Sequence, residues 1–208
     1  MQHHVILVPG IGLYGVELLL LKKRLCQAGF AARIFYYWAW CRTLEECIDA
    51  LQRYINARPG DVISFVAHSF GGLVVVGLCA RGGLPHTCRI VTLGTPHHGS
   101  AAARRVGNLP AGPWLLGRAL NTGLHETPVR LRGLAVAGTV AGSFDTGIGR
   151  LLGLREPNDS VVCVSEAHHP DAVDTLTIRV SHSAMLISKR VAKEISLFLK
   201  NGRFSRER

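Results

Sequence analysis

One serine stands out because of the apolar and small residues that surround it. Ser69 follows the apolar run Val62–Val66 and precedes Phe70-Gly71-Gly72, a pattern that predicts a strand, a sharp turn and a helix. Such a strand-to-helix turn exposes a hydroxyl for nucleophilic attack, and small residues let the two backbones approach. The G-x-S-x-G pattern of this turn is matched except at Ala67, the smallest replacement for its first glycine. We therefore predict that Ser69 is a nucleophile.

A serine hydroxyl needs a neighbouring base, and the chain contains ten histidines. His182 is preferred because it follows the last predicted strand and precedes the last predicted helix. Loops at the carboxyl ends of parallel strands gather at one edge of the sheet, where a base for Ser69 must also lie. The histidines that compete with it are His3, His4, His97, His98, His168 and His169.

The group that orients this base is an aspartate, and the spacing leaves its identity open. Asp159 is preferred, because it lies between the last two predicted strands and before His182, in the order serine, acid, histidine. Asp145 also follows a predicted strand and is the first alternative. Asp171 and Asp174 are nearer to His182 in sequence. Each of these aspartates could instead stabilise a turn or cap a helix.

Attack by a serine requires backbone N–H groups that stabilise the developing negative charge, and two candidates are predicted. One belongs to Phe70, directly after Ser69. The other belongs to Ile11, in the glycine-containing loop that follows the first predicted strand. These two residues are the predicted oxyanion hole.

The same loop also matches a dinucleotide-binding pattern. Gly10, Gly12 and Gly15 have G-x-G-x-x-G spacing between a predicted strand and a predicted helix. Dinucleotide binding requires an acidic residue about 20 positions later to hold the ribose. Phe35–Arg42 contains none, and Glu45, the first acidic residue beyond it, lies in the next predicted helix. An oxyanion loop is therefore favoured.

Apolar runs alternate with helical patterns along the chain, which predicts a parallel sheet flanked by helices. Thr43 and Glu46 form a capping box for a helix that runs to about Asn56. Between Thr95 and Arg132 the pattern loosens, and we expect this long excursion to be a functional loop or lid. The predicted strands are His4–Val8, Arg33–Trp38, Val62–Val66, Arg89–Leu93, Leu134–Val140 and Val173–Val180. The other predicted helices are Val16–Ala28, Leu73–Ala80 and Ala184–Leu199.

The composition indicates one globular domain over residues 1–208. A chain of 208 residues with 48% apolar and 18% charged residues can bury a core and is too apolar for a disordered protein. It contains no run of about eighteen apolar residues, so no membrane-spanning helix is predicted. The net charge of +10 is scattered and lacks a nucleic-acid-binding motif, which argues against nucleic acid as a partner. Weak contact with anionic lipid surfaces is the most that this charge supports.

The cysteines are too dilute for a disulfide scaffold, and none forms a C-x-x-C pair. They predict buried free thiols in a reducing compartment. The N-terminal segment lacks the basic and apolar regions of a signal peptide, so we expect a cytoplasmic protein. The oligomeric state stays open at this point. The six cysteines are Cys26, Cys41, Cys47, Cys79, Cys88 and Cys163.

These motifs together resemble those of an α/β-hydrolase of the bacterial lipase-like kind. The chain departs from that pattern at Ala67 and at Pro9, where a histidine often precedes the loop glycine. The matching segments span nearly the whole chain. They are Val8–Gly12, the turn at Ser69, Leu93–Ser100, Asn158–Val162 and Ser181-His182.

The resemblance implies a compact α/β fold, with a mostly parallel sheet of about six strands and helices on both faces. It implies a Ser69–His182–Asp159 triad, with Ile11 and Phe70 as oxyanion donors. The excursion at about 101–132 can then serve as a lid over an acyl pocket. The resemblance implies no metal site and no cofactor.

The expected activity is hydrolysis of carboxylic esters, of small molecules or of lipids, through a covalent acyl-enzyme. Trp114, Leu115 and Leu116 are the predicted substrate-binding residues and the basis for a preference for acyl chains. Two alternatives stay open: an acyltransferase that uses the same triad, and a catalytically silent hydrolase fold that acts as a binding module. A dinucleotide-dependent oxidoreductase ranks third.

Overall fold

Six strands form the central sheet of the computed structural model, which describes residues 3–12, 14–57, 63–84, 88–124, 129–131 and 133–205. The strands are β1 (His4–Val8), β2 (Ala31–Ile34), β3 (Ile63–His68), β4 (Arg89–Leu93), β5 (Val136–Gly142) and β6 (Asp174–Ile178). Their order across the sheet is β2-β1-β3-β4-β5-β6, and every neighbouring pair is parallel. The predicted fold class is therefore confirmed.

Eight α-helices connect or follow these strands within the described residues. They are α1 (Leu19–Gln27), α2 (Leu44–Asn56), α3 (Phe70–Ala80), α4 (Ala101–Gly107), α5 (Gly112–Gly123), α6 (Ile148–Leu151), α7 (Val164–Ala167) and α8 (Lys189–Asn201). Two 3₁₀ segments, Val16–Leu18 and Ser183–Ile187, precede α1 and α8.

The start of α2 follows the predicted capping box. The Oγ1 of Thr43 accepts a hydrogen bond from the Glu46 N–H at 3.2 Å, and the Thr43 N–H donates to Glu46 Oε2 at 2.8 Å. Two of the first N–H groups of the helix region, which lack intrahelical acceptors, are satisfied in this way. The predictions for β1, β4 and the bounds of α2 are confirmed.

The second strand ends earlier than predicted, at Ile34 rather than Trp38. It is an edge strand that pairs only with β1, and Ile34 lies opposite Leu7 near the end of that strand. The Phe35 N–H still donates to the Leu7 carbonyl at 2.9 Å. Because β1 itself ends at Val8, the chain beyond this bond leaves the sheet. Of the predicted strand Val62–Val66, residue 62 lies outside the described residues.

The long excursion predicted as an irregular loop contains α4 and α5. Ser100 begins α4, because its Oγ accepts a hydrogen bond from the Ala103 N–H at 3.1 Å. The last predicted helix is also divided. Ser188 interrupts it and caps α8 by accepting from the Val191 N–H at 3.3 Å. Cap residues therefore set these boundaries, which apolar periodicity alone did not reveal.

The two faces of the sheet bury separate apolar cores. Because successive side chains of a strand point to opposite faces, Val5 and Leu7 pack with α1 and α8, whereas Ile6 and Val8 pack with α2 and α3. Every residue of β3 is buried. This is the burial expected of a parallel strand that helices cover on both sides.

No helix among the described residues is long and apolar enough to cross a membrane. The six cysteines are free thiols, as predicted, but Cys26 and Cys41 are exposed. The expectation of burial is therefore wrong for these two and confirmed for the other four. The cytoplasmic location stays a prediction.

The first turn of α3 packs directly on the backbone that follows β1. A β-carbon placed on Gly71 would lie 2.5 Å from the carbonyl oxygen of Val8 and would also collide with that of Pro9. Main-chain atoms cannot move aside as a flexible side chain can. Glycine at this position thus permits the close approach on which the turn at Ser69 depends.

Replacing Gly71 by alanine is expected to lower the free energy of unfolding by about 1–3 kcal/mol, because the new methyl group overpacks this contact. Urea denaturation followed by tryptophan fluorescence measures the change. Gly107→Ala is the matched control: its β-carbon would meet only Leu116 Cδ1, at 3.4 Å. The control should match the parent or exceed it by up to about 1 kcal/mol. Equal stability of Gly71→Ala and the parent would contradict this packing argument.

Candidate active site

Ser69 occupies a strained turn between β3 and α3. Its φ is 51° and its ψ is −127°, a conformation that residues with a β-carbon rarely adopt and that costs on the order of 1–3 kcal/mol. Hydrogen bonds hold it there: the Ser69 N–H donates to the Leu93 carbonyl at 2.8 Å, and the Thr95 hydroxyl donates to the Ser69 carbonyl at 2.9 Å. The serine is therefore fixed by β4 as well as by its own turn.

The alanine that replaces the first glycine of the pattern is accommodated without strain. Ala67 is fully buried within β3 and pairs with Val8 on one side and Thr92 on the other. Its φ is not positive, unlike that of Ser69. Glycine is not needed at this position, because the backbone stays extended until the serine itself.

His182 and Asp159 form a buried pair. The Nδ1 of His182 lies 2.7 Å from Oδ2 of Asp159, and the His182 N–H donates to the Asp159 carbonyl at 2.8 Å. Only 9% of His182 and 1% of Asp159 is exposed. The second carboxylate oxygen accepts the N–H groups of Val161 and Val162 at 3.0 and 2.8 Å. These bonds offset the cost of burying the carboxylate and orient the imidazole.

Ser69 and His182 line one cavity of about 600 Å³. Because Nδ1 of His182 faces Asp159, Nε2 is the ring atom left to accept a proton. It makes no hydrogen bond within the described part of the chain. The two side chains are not hydrogen-bonded to each other, a looseness that is common in unliganded sites of this kind. The geometry brings the predicted nucleophile, base and acid together at the carboxyl edge of the sheet.

The other candidate acids are engaged elsewhere. Asp145 accepts the N–H groups of Gly147 and Gly149 at 2.9 Å each, at the start of α6. Desolvation opposes ionisation of Asp145, but the backbone donors outweigh it and lower its pKa. Asp171 accepts the Leu131 N–H, and Asp174 accepts the N–H groups of Thr175 and Phe204. The carboxylate that contacts His182 is that of Asp159.

The predicted oxyanion donors flank the serine turn. Phe70 is the first residue of α3, so its N–H lacks an intrahelical acceptor. Ile11 lies in the loop after β1 and lines the same cavity as Ser69. Neither N–H has an acceptor within the described residues. The Tyr37 hydroxyl donates to the Pro9 carbonyl at 2.9 Å, and this hydrogen bond holds the loop after β1 in place.

Gly10, in the loop after β1, packs closely on the serine turn. A β-carbon on Gly10 would lie 3.0 Å from Ser69 Cβ and 3.3 Å from the His68 carbonyl oxygen. This approach is the one that an oxyanion loop requires. The segment after β2 supplies buried aromatic residues, Phe35 and Tyr37, where dinucleotide binding would require an acid.

The predicted substrate-binding residues lie away from the serine. Trp114 and Leu115 are exposed, by 68% and 55%, so they are not core residues. Trp114 lines a second cavity of about 480 Å³ together with Trp38 and Trp40. None of the three residues Trp114, Leu115 and Leu116 lines the Ser69 cavity. Their role in substrate binding stays a prediction. The lid also stays a prediction, and α5, which belongs to that segment, packs on α2 and α3.

Gly94 is a site residue to which the sequence reasoning gave no role. Its φ is 54°, and a β-carbon there would lie 2.9 Å from Asp159 Oδ2 and 3.0 Å from His182 Nδ1. Any larger residue would push the pair apart. Its position directly after β4, in Leu93-Gly94-Thr95, is the signal that could have identified it.

His68 is a second residue that was missed, although it precedes Ser69 in the same motif. Its Nε2 lies 3.2 Å from the His182 carbonyl oxygen, and the centroids of the two rings are 4.6 Å apart. Because a carbonyl only accepts, Nε2 carries the proton and donates. Burial, followed by the charge of His182, lowers the pKa of His68 to about 3. His68 therefore holds the backbone of His182 by a hydrogen bond and, because it stays neutral, does not place a second positive charge next to the His182 ring.

Several solved structures share this architecture. A lipase of Bacillus licheniformis, BlEst2, in its mature form has a TM-score of 0.76 and 19% identity, over 97% of this chain and 92% of that one. The same lipase in its propeptide form has a TM-score of 0.78 and 18% identity, and the match covers 51% of its length. The type II thioesterase BorB, from the borrelidin biosynthetic cluster, has a TM-score of 0.62 and 16% identity, over 96% and 92% of the two chains.

These likenesses, together with the strand order, show that the chain has the α/β-hydrolase fold. At identities below 20% they establish the fold alone. Neither the protein-family models nor the curated proteins with which the sequence was compared give a match.

Stability is expected to fall in mild acid because His68 is buried as the neutral form. Its folded pKa of about 3 lies below the value of about 6.5 in an unfolded chain, so the unfolded state binds more protons. The stabilisation is fully present above pH 6.5 and is lost as the pH falls towards 3. Between pH 7 and pH 5 this one group accounts for roughly 2 kcal/mol.

Urea denaturation at the two pH values, with the parent and with His68→Gln, measures this contribution. Glutamine keeps an N–H donor for the His182 carbonyl but does not titrate. Between pH 7 and pH 5 the free energy of unfolding of His68→Gln should fall by about 2 kcal/mol less than that of the parent. Equal losses in the two proteins would show that His68 is not buried as the neutral form.

Proposed function

We propose that this protein hydrolyses carboxylic esters through a covalent acyl-enzyme on Ser69. The observation that carries the proposal is the shared cavity. It holds a serine in a strained turn and a histidine whose Nδ1 is hydrogen-bonded to a buried aspartate. That is the arrangement required to make a serine hydroxyl nucleophilic. The α/β-hydrolase fold supports the reading, since many hydrolases carry their nucleophile on such a turn.

In the first half of the reaction the Ser69 Oγ attacks the ester carbonyl carbon. Nε2 of His182 accepts the hydroxyl proton, and Asp159 stabilises the imidazolium that results. Charge that develops on the carbonyl oxygen is stabilised by the N–H groups of Phe70 and Ile11. When the tetrahedral intermediate collapses, His182 donates its proton to the leaving alkoxide, and the alcohol departs.

In the second half a water molecule takes the place of the alcohol. His182 accepts a proton from this water, whose oxygen attacks the acyl carbon. Collapse of the second intermediate returns the proton to Ser69 and releases the carboxylic acid. This sequence uses no metal and no cofactor, and no group of histidine, cysteine and acidic residues suited to a metal is found in the described residues.

The substrate we propose is a small-molecule or lipid ester. Ile11, Leu186 and Ile187 provide apolar wall beside Ser69, which suits an acyl or alkyl group. The similar structures are those of a lipase and a thioesterase, and a further one is a metagenomic carboxyl esterase with a TM-score of 0.58 and 18% identity, over 86% and 64% of the two chains. Enzymes of these kinds act at an acyl carbonyl, which is the step that the Ser69 site is proposed to perform.

Replacing Ser69 by alanine is expected to lower the kcat for p-nitrophenyl esters by about 10⁴–10⁶-fold, because no covalent intermediate can form. Hydrolysis is measured by release of nitrophenolate, and free acid is quantified to distinguish hydrolysis from transfer to an added alcohol. A fluorophosphonate probe should label the parent and not the variant. Unchanged hydrolysis by folded Ser69→Ala would disprove the assignment.

The identity of the acid is tested by comparing Asp159→Asn with Asp145→Asn. Asp159→Asn should lower kcat by about 10⁴-fold, because asparagine disfavours the histidine tautomer needed and does not stabilise the imidazolium. Asp145→Asn is the matched control, and it should lose less than about tenfold, since Asp145 caps α6. A larger loss at Asp145 would reverse the assignment. Thermal unfolding of each variant separates loss of fold from loss of chemistry.

A further inference from the structure

The cavity that contains Ser69 carries one carboxylate that the proposed reaction does not use. Glu17 is the only acidic side chain among the described residues that line it, and lysine and arginine are absent from that lining. The other polar groups are the hydroxyls of serines and the two imidazoles. Glu17 is therefore the source of fixed charge beside the nucleophile.

Local structure holds Glu17 in this position. Its Oε2 accepts a hydrogen bond from the Gly15 N–H at 3.0 Å, within the first turn of the 3₁₀ segment. Leu18 anchors that segment in the core with 1% of its surface exposed. A β-carbon on Gly15, whose φ is 95°, would lie 2.8 Å from Ile34 Cγ2, so the turn packs tightly on the end of β2. The carboxylate is thus positioned rather than free on the surface.

The charge of Glu17 is not neutralised within the described residues. No ion pair there involves Glu17, although the chain as a whole carries a net charge of +10. Its other oxygen, Oε1, makes no hydrogen bond in the same part of the chain. A half-buried carboxylate without a cation, in a cavity with apolar walls, acts over several ångströms more strongly than it would in water.

We propose that Glu17 makes the Ser69 site selective for esters that carry a cationic group, such as an ammonium, over esters that carry a second carboxylate. This inference rests on the proposed ester hydrolysis. A substrate ammonium would supply the cationic partner that Glu17 lacks among the described residues, while a substrate carboxylate would be repelled by it. The neighbouring hydroxyls of Ser181 and Ser183 can accept hydrogen bonds from a primary ammonium.

The experiment uses three p-nitrophenyl esters of nearly equal length: trimethylammoniobutyrate, its uncharged tert-butyl isostere and hemiglutarate. For each protein, the kcat/KM measured on a charged ester is divided by the kcat/KM of the same protein on the neutral ester, which gives a cationic ratio and an anionic ratio. General effects on activity cancel in these ratios. Glu17→Gln should lower the cationic ratio and raise the anionic ratio, each by about three- to tenfold. Glutamine retains an oxygen acceptor for the Gly15 N–H.

Asp49→Asn is the matched control, since it removes one negative charge from α2, where Asp49 pairs with Arg81. Its ratios should equal those of the parent. In the parent itself, added salt should bring both ratios towards one, a measurement that needs no variant. If the ratios were identical in the parent and in Glu17→Gln, the proposed role of Glu17 would be overturned, but the proposed ester hydrolysis would not. A parent that hydrolyses none of the three esters would overturn the proposed function as well.

Discussion

The strained turn at Ser69 is the constraint on which the rest of the site depends. A serine with a φ of 51° persists only because its backbone is bonded to the end of β4 and to Thr95. The turn also requires the loop after β1 and the first turn of α3 to approach it closely. Glycine at positions 10 and 71 allows this approach, because a side chain would meet main-chain atoms. The serine and the predicted oxyanion donors are thus positioned by one packing arrangement.

Electrostatics at the site follow from burial. The carboxylate of Asp159 is shielded from water but accepts three hydrogen bonds, so it is suited to stabilise an imidazolium at His182. His68, directly beneath, stays neutral because burial lowers its pKa. Glu17 lines the same cavity, and no ion pair among the described residues includes it. A positive charge on His182 would thus be stabilised by Asp159, and the proposed role of Glu17 is to attract a cationic group of the substrate.

Much of this arrangement could be predicted from the sequence because it depends on local order. The strand, serine and two glycines around Ser69 specify a strand-to-helix turn, and Thr43 with Glu46 specifies the start of α2. His182 could be preferred because the carboxyl ends of parallel strands share an edge. Asp159 could only be ranked above Asp145. Both lie between β5 and β6, and the choice between contacting a histidine and capping a helix depends on how the loops after β5 and β6 fold together.

The sequence by itself determined the fold class, the serine turn and the order serine, acid, histidine, because these follow from periodicity, small residues and chain direction. Only the tertiary structure decided which carboxylate meets His182, that Gly94 leaves room for the pair, and that Trp114 lies at a separate cavity. It alone brought Glu17 into the cavity of Ser69. The physical reason is that these relations join residues distant in the chain, and no local pattern records a contact between loops that meet only when the sheet is complete.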